Sequence, residues 1–396
     1  MSIFTEETQK LILAELKETT ALTKIIAEGW KIDSWKAVQA LVRAGVGAKY
    51  FPVGTEFNVV TKSYGTLVFQ VVAHDHHLNP NDESAHTMTL CMRDVIYGRQ
   101  FDAVELQWYN DTDAEIPAGT VHFTGYKNDY SQDTKEDGTF QFTFTKPIPV
   151  GGGFRHSNMG AWSGSGYSVD RVLGGKFSTY DADGNALESN LDCVLGSDGT
   201  DLGTFSVAYG NINPTIGKAN SSQRGAYGSN NWAESGIRQW LNGTGTAWWT
   251  KQTIFDRAPS YVSNIGFMEE IGDLADVLGE TDIVTGRSTV YEYDGVLGGG
   301  STTRDKIFLL SMTEVGFGNN NVKEGNKLEY YDDASNTDRI KYDYSSKTSA
   351  RYWWLRSPNY SNANNVRNVT TSGSLNNNNA NNGYGAAPDR EKASLK

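Results

Sequence analysis

Histidines cluster beside an acidic residue in the first quarter of the chain, where His74, Asp75, His76 and His77 are consecutive and His86 follows. Imidazole and carboxylate groups bind transition metals, so this segment could hold an ion. Because successive side chains on a strand point to opposite faces, only His74 and His76 would converge. The polar residues that come next favour a solvated strand end. We therefore predict no metal site, and His74 and His76 are the candidate ligands of the alternative.

Sequence motifs of the common catalytic classes are missing. The chain has no Gly-x-Ser-x-Gly elbow and no local Cys–His pair, and the glycines at 298–300 lack the lysine of a phosphate-binding loop. The segment 181–185 is similar to a calcium loop, but Glu188 comes too early and a tight Asp-Gly turn explains it better. We predict that the protein is not an enzyme and has no catalytic residue and no cofactor.

An asparagine-rich segment at residues 359–384 is the most informative part of the sequence. A low-complexity tail is one interpretation of it. However, Trp353 and Trp354 precede it, and Val366 and Val369 lie in its centre, as an ordered structure would require. Ordered, it makes two or three short strands whose outward positions are Asn, Ser, Thr and Tyr. Such side chains provide the adaptable hydrogen bonds of antibody-like binding surfaces, so we predict an ordered display surface.

The elements that would position this surface begin with helices. One helix is predicted from a Thr5 cap to Gly29, with Leu11, Ile12, Leu16, Leu22, Ile25 and Ile26 at helical spacing, and a second at 34–44. From residue 50 the hydrophobic period changes to two, which predicts strands at 55–61, 66–73, 87–97 and 140–144, the last after an Asp137-Gly138 turn. Further helices are predicted at 231–241 and 265–278, and a buried strand at 306–311.

Several sequence motifs occur together between residues 203 and 388. They are Tyr227-Gly228-Ser229-Asn230-Asn231-Trp232, Ile237-Arg238-Gln239-Trp240-Leu241-Asn242, Trp248-Trp249, Phe255-Asp256-Arg257, Asp305-Lys306-Ile307-Phe308-Leu309-Leu310-Ser311, Glu314-Val315, Trp353-Trp354-Leu355-Arg356-Ser357-Pro358 and Gly383-Tyr384-Gly385-Ala386-Ala387-Pro388. In combination they resemble the DUF6273 branch of the C-type lectin-like fold. Many proteins of this branch are variable proteins of diversity-generating retroelements, encoded by gut bacteriophages and prophages.

The resemblance implies a mechanism for the asparagines. In such systems a reverse transcriptase copies a template repeat with errors at adenines, and the copy replaces the 3′ end of the variable gene. Asn codons carry adenines at their first two positions, so they change to many residues without giving stop codons. The diversified, ligand-binding positions would be Asn359, Tyr360, Asn362, Asn364, Asn365, Asn368, Asn376, Asn378, Asn379, Asn381, Asn382 and Tyr384. The scaffold would be Trp353, Trp354, Leu355, Arg356, Val366, Val369, Gly373 and Gly385.

The expected fold class is α+β, in four parts. We predict a helical N-terminal assembly segment at 1–48, a β-rich domain at 49–175, a C-type lectin-like variable domain at 176–388, similar to formylglycine-generating enzymes, and a charged tail at 389–396. Many relatives of this kind continue with an apolar closing strand after the final proline. Here Asp389-Arg390-Glu391-Lys392 follows instead, so we expect the closing strand to come from elsewhere or to be absent. The formylglycine-generating activity needs reactive cysteines in the lectin-like domain, and Cys193 alone does not provide them.

The composition limits which binding partners and which locations we expect for the protein. With 35 Lys+Arg against 47 Asp+Glu, the net charge of −12 disfavours nucleic acid and anionic membrane as targets. No apolar run could span a bilayer, and the N-terminus lacks the pattern of a signal peptide. We expect synthesis in the bacterial cytoplasm and a place on a virion surface. The expected partners are a host cell-surface protein or glycan, other phage structural proteins and further copies of the chain, as a homotrimer.

Two alternatives to this display protein stay open. One is a carbohydrate-binding module or an enzyme of the lectin-like fold that uses His74, His76 and the aromatic residues. The other is an inert structural phage component with a functionless asparagine-rich end.

Overall fold

The computed structural model describes residues 6–29, 31, 33–77, 79–82, 84–129, 134–158, 176–206, 214–286, 291–293, 296–297, 300–318 and 324–392. Within them the fold mixes helices with several small sheets, which agrees with the predicted α+β class at that level. No helix in these ranges is both long enough and apolar enough to cross a membrane.

The N-terminal helices pack on one another and, through Val38 and Val42, on the larger core of the protein. Helix α1 (Glu6–Ala27) precedes α2 (Trp35–Leu41), a π-helical turn (Val42–Val46) and α3 (Gly47–Tyr50). As predicted, Ser34 caps α2 and accepts a hydrogen bond from Ala37 N at 3.2 Å. Ile25 packs into a local apolar cluster, whereas Leu16 and Ile26 are 60% and 80% exposed, so part of the predicted apolar face is not buried. The predicted Thr5 cap lies outside the described residues.

Strands from both ends of the chain share one five-stranded sheet. Strands β1 (Glu56–Val60), β2 (Thr66–His74) and β3 (Met88–Met92) lie near the predicted positions, and β4 (Ile96–Arg99) belongs to another sheet. The predicted strand at 87–97 was therefore wrong in its extent, because its two halves pair with different partners. Strand β25 (Asp389–Lys392) completes the first sheet in the order β1-β2-β3-β25-β18, where β18 is Ile307–Phe308.

The charged residues after Pro388 are therefore not a tail. Strand β25 pairs antiparallel with β3 on one side and with β18 on the other. Backbone hydrogen bonds make a strand regardless of side-chain polarity, which is why the charged composition misled the prediction. The expectation that no strand follows Pro388 directly was therefore wrong.

The middle of the chain forms two further sheets around a second core. Their strands are β5 (Trp108–Tyr109), β6 (Gly119–Asp129), β7 (Thr134–Phe144), β8 (Gly153–Asn158), β9 (Lys176–Tyr180), β10 (Ala186–Asp192), β11 (Val194–Leu195), β12 (Thr200–Ser206) and β13 (Lys218–Ala219). The sheet orders are β10-β9-β8-β5-β13 and β11-β7-β6-β12. Phe140, Phe142 and Phe144 are buried, as their alternation predicted. The predicted Asp137-Gly138 turn was wrong, because both residues pair with β6 inside strand β7.

The remaining elements are short. They are the helices α4 (Ser222–Tyr227), α5 (Gly236–Asn242) and α6 (Phe267–Glu270), the 3₁₀ helices Gly272–Val277, Glu329–Tyr331 and Thr337–Arg339, and the strands β14 (Thr281–Thr285), β15 (Tyr291–Tyr293), β16 (Val296–Leu297), β17 (Ser301–Asp305), β19 (Lys341–Tyr342) and β20 (Ala350–Arg351). Helix α5 begins later than predicted because Ser235 caps it and accepts from Arg238 N. The predicted helix at 265–278 is split at Gly272, whose φ of 51° is not helical. The predicted strand at 306–311 shrinks to β18.

The last sheet carries the asparagine-rich segment. Its strands are β21 (Trp353–Pro358), β22 (Asn365–Val369), β23 (Leu375–Asn379) and β24 (Tyr384–Ala386), in the order β23-β22-β21-β24-β4. The larger core includes residues from Val38 to Ala387. The boundary predicted near residue 175 is thus crossed by this core and by the two sheets that contain β3 and β4. Cys91 and Cys193 are buried and form no disulfide.

Candidate functional site

The asparagines gather at one end of the last sheet. Strands β21 and β22 are joined by a loop at 359–364 and β23 ends beside it, whereas the 370–374 turn lies at the opposite end. The 380–383 segment then crosses to β24, which runs parallel to β21 with Gly385 beside Trp353, so Tyr384 lies toward the opposite end, against Tyr352. Strands β22 and β23 pair with Asn365 opposite Asn379 and Arg367 opposite Asn377. We call the following half-exposed or exposed residues of this end and of the crossing segment the Asn-rich surface: Asn359, Tyr360, Ser361, Asn362, Asn365, Asn377, Asn379, Asn381, Asn382 and Tyr384.

Side-chain amides on this surface bond to one another. Asn365 Nδ2 donates to Asn377 Oδ1 at 3.0 Å, and Nδ2 of the buried Asn364, which is not part of the surface, donates to Asn379 Oδ1 at 2.7 Å. Asn362 Oδ1 accepts from the backbone N of Asn365 at 3.0 Å. An asparagine amide has two donors and an acceptor with two lone pairs, so each keeps capacity for a ligand after these bonds. The surface is therefore polar, partly preorganised and rich in hydrogen-bonding groups.

A buried aromatic frame lies beneath it. Trp353, Trp354, Leu355, Val366 and Val369 are fully buried. The indole N–H of Trp354 donates to Arg99 O at 2.8 Å, and that of Trp353 donates to Arg339 O at 3.0 Å. Buried tryptophans with satisfied N–H groups fix their own rotamers, so the strands that carry the asparagines are held rigidly.

Two positions of the frame require glycine, because neighbouring atoms lie too close to leave room for a Cβ. A Cβ on Gly373, whose φ is 79°, would lie 1.7 Å from Asn336 O. A Cβ on Gly385 would lie 2.7 Å from Val95 Cγ2. Neither position can carry a side chain without movement of its neighbours.

An ion pair inside the protein anchors the start of the surface. Arg356 makes two hydrogen bonds to Glu314, at 2.6 and 2.7 Å, and His77 Nε2 lies 3.0 Å from Glu314 Oε1. Burial alone would raise the pKa of Glu314, but the Arg356 charge and the hydrogen bonds from His77 and Arg356 hold that pKa far below its usual range. Ser357, next in β21, donates to the Glu324 carboxylate. Strand β21 is thus fixed by a polar network just before the 359–364 loop.

Asn230 organises that loop from outside the asparagine-rich segment. It is 1% exposed, and its Nδ2 faces the backbone oxygens of Asn362 at 2.7 Å, Asn365 at 3.0 Å and Asn359 at 3.4 Å. The buried Gln223 accepts from Ala363 N at 2.9 Å. Asn230 belongs to one of the sequence motifs, but no role was predicted for it. Nothing in a linear pattern links it to residues some 130 positions away.

The structure separates the predicted diversified residues into two groups. Asn364 is 5% exposed and Asn368 is fully buried, so the prediction that these two point outward was wrong. Asn368 lies opposite Trp354 and shares a strand face with Val366. The side chains of Asn376 and Asn378 are half-exposed on the same face, and the remaining eight predicted residues belong to the Asn-rich surface.

One further asparagine was missed. Asn377 shares the face of Asn365 and Asn379 and bonds to the first of them. The two-residue period of strand β23 could have indicated it, because Asn377 and Asn379 must point the same way.

The histidines do not converge as predicted. Strand β2 ends at His74, whose Nε2 lies 2.9 Å from Phe51 O, and His76 lies beyond the strand end, where alternation no longer applies. Instead, ligand atoms of His76, His77 and Glu314 lie within 4.8 Å of one another. Burial, with the nearby His77, lowers the pKa of His76 to about 4. Glu314 already uses both oxygens on Arg356, so the arrangement suits an ion pair better than a metal site.

The calcium-like segment is a turn. Asn185 N donates to Asp181 Oδ1 at 2.8 Å, and Gly184 N donates to Asp181 O at 3.1 Å. These bonds close the connection between β9 and β10, as the Asp-Gly interpretation predicted.

Comparison with known proteins identifies one domain. A DUF6273 domain, described as a domain of unknown function, covers residues 207–388. These residues include α4, α5 and all of the Asn-rich surface. No curated protein and no solved structure matches the chain.

Proposed function

We propose that this protein binds ligands through the Asn-rich surface and that adenine-specific mutagenic retrohoming diversifies that surface. The protein would act on a phage virion, on tail or capsid, and attach it to a host surface protein or glycan. A C-type lectin-like fold for the DUF6273 domain and assembly as a homotrimer are parts of the proposal.

The placement of the asparagines is the main support for this proposal. Seven of the twelve residues that the codon argument selects lie in the 359–364 loop, at the strand ends beside it or in the adjoining 380–383 segment, and Tyr384 follows them in β24. An inert low-complexity segment has no reason to place its asparagines together on a rigid frame. Recognition by surface loops on a fixed scaffold is the usual arrangement for a variable binding site.

The division between frame and surface also supports diversification. The aromatic residues, the glycines with close neighbours and the Arg356–Glu314 pair would not tolerate frequent change. Half-exposed asparagines would, because their substitution affects a local amide network rather than a core. A gene whose mutable codons fall mainly on such positions can vary its ligand without loss of the fold.

Attachment to cells tests the function directly. Purified protein, labelled on lysine, is titrated onto a panel of gut bacterial strains. A triple variant with Tyr360→Ala, Asn379→Ala and Asn381→Ala removes side chains of the surface. The matched control is Thr371→Ala with Ser372→Ala, on the exposed turn at the opposite end of the sheet.

The proposal predicts that at least one strain binds the wild type and the control equally, and that the triple variant loses about tenfold or more in affinity. This expected loss follows from hot-spot residues of binding surfaces, whose truncation costs ~2 kcal/mol or more of binding free energy. Attachment that survives in the triple variant would contradict the proposal and favour an inert asparagine-rich end. Attachment lost only on His74→Ala with His76→Ala would favour the carbohydrate-binding or enzymatic alternative.

A further inference from the structure

A cavity of about 270 Å³ lies apart from the Asn-rich surface and shares no residue with it. Strand β8 contributes Arg155, β9 contributes Tyr180, and the loop after α5 contributes Trp249, Lys251 and Arg257. A water molecule occupies about 30 Å³ of the liquid, so the cavity volume corresponds to several water molecules. A molecule of about the size of one sugar ring fits such a volume.

The guanidinium of Arg257 is the unusual group in this cavity. Its Nε, Nη1 and Nη2 are all buried, and none has a hydrogen-bond partner within the part of the chain that the structure describes. Its Cζ lies 4.9 Å from the centre of the Tyr180 ring, which supplies a cation–π contact but no acceptor. A buried charged donor without an acceptor is costly, and proteins keep such groups where a ligand completes them.

The two carboxylates that line the cavity make no hydrogen bond to this guanidinium. Asp256 directs its oxygens to its own loop, where Gln252 N, Thr253 N and Thr253 Oγ1 donate at 2.5, 2.9 and 2.7 Å. Asp183 is exposed at the cavity edge. Neither carboxylate is within hydrogen-bond distance of the guanidinium nitrogens.

Other cations add to the positive charge. Lys251 Nζ donates to Ala182 O at 3.0 Å, and Arg155 Nε donates to the Tyr180 hydroxyl at 2.9 Å. Burial and the Arg257 charge lower the pKa of Lys251. Arginine cannot lose its proton in a protein, so Arg257 stays charged. Three cations and two carboxylates line this cavity, and the charge of a third carboxylate, Asp181, also acts on Arg257 and Lys251.

We propose that this cavity binds a small organic anion, whose carboxylate or phosphate oxygens bond to Arg257 and whose ring packs against Tyr180 and Trp249. The planar guanidinium presents parallel N–H groups that match two oxygens of one acid group. The aromatic side chains offer flat, amphipathic walls to the body of the ligand. The cavity is thus a second binding site, independent of the variable one.

Calorimetric titration with four defined probes tests the proposal. Glucuronate carries a carboxylate on a sugar ring, glucose 6-phosphate carries a phosphate, inorganic phosphate has no ring, and glucose has no charge. Each is titrated into wild type, Arg257→Gln and the control Arg304→Gln. Arg304 is exposed on β17 and pairs with Asp282 at 2.9 Å, so its loss removes an arginine without touching the cavity.

We expect glucuronate or glucose 6-phosphate to bind the wild type and Arg304→Gln equally, and more tightly than glucose or phosphate alone. Arg257→Gln should weaken that binding about 10- to 100-fold, as loss of charge-assisted hydrogen bonds does. If Arg257→Gln does not fold, Lys251→Gln replaces it, with an expected loss of about tenfold. The proposal is overturned if no charged probe binds at 10 mM, about the weakest affinity of interest, or if the cavity variants bind as the wild type does.

Discussion

Replacing Asn230 by alanine should loosen the 359–365 backbone while leaving the asparagine-rich segment itself unchanged. The Asn230 amide faces the carbonyl oxygens of Asn362, Asn365 and Asn359 at 2.7, 3.0 and 3.4 Å. The Asn365 oxygen also accepts from Asn359 N at 2.7 Å, so it keeps a donor when Asn230 is lost. An amide nitrogen has two protons, so it satisfies two of these oxygens at a time. Each lost hydrogen bond costs about 1 kcal/mol, and each buried carbonyl left without a donor adds about 1 kcal/mol or more. We expect Asn230→Ala to lower the free energy of opening this loop by ~2–4 kcal/mol.

Amide hydrogen exchange followed by mass spectrometry measures this opening. In a peptide that covers residues 359–365, exchange should be about 30-fold faster or more, since each 1.4 kcal/mol is a factor of ten. Asn231→Ala is the matched control, because the Asn231 side chain accepts a hydrogen bond from Ala233 N at 3.1 Å within its own turn. It should leave exchange in the loop unchanged. Equal exchange in the two variants would refute the role assigned to Asn230.

Three further predictions concern stability in urea. Gly373→Ala should lower the free energy of unfolding by ~2 kcal/mol more than Gly54→Ala does. Both glycines have a positive φ, but a Cβ at Gly54 would meet no atom within 4 Å. Equal losses in the two variants would contradict the close approach at Gly373. Asn368→Leu should raise that free energy by ~1 kcal/mol, because the buried Asn368 Oδ1 has no partner among the described residues; a loss would contradict it. Because the pKa of Glu314 is held below its usual value of 4.5, its pairing with Arg356 stabilises the fold above about pH 4.5 and fades as the pH falls further. Glu314→Gln should therefore be less stable at pH 7 and show a smaller loss of stability between pH 5 and 3, and an unchanged acid slope would contradict the pairing.

Local signals in the sequence were sufficient for much of the fold. Alternating phenylalanines identified the buried face of β7, Ser34 identified a helix cap, and a change of period located β1 and β2. Such features depend on neighbours within a few residues, which a linear pattern contains.

Features set by distant residues could not be predicted. Strand β25 exists because β3, some 300 residues earlier, supplies its pairing partner. The burial of Asn368 follows from its position opposite Trp354, and codon arguments carry no information about burial. The roles of Asn230 and Arg257 likewise depend on contacts that only the folded chain creates.

The proposed function depends most directly on where this gene varies. Deep sequencing of codons 340–396 across a natural population measures it. We predict changes confined to adenines of codons 359–384, concentrated in the Asn-rich surface and absent from Trp353, Trp354 and Gly385. Changes spread evenly along these codons and over all four bases would contradict the account.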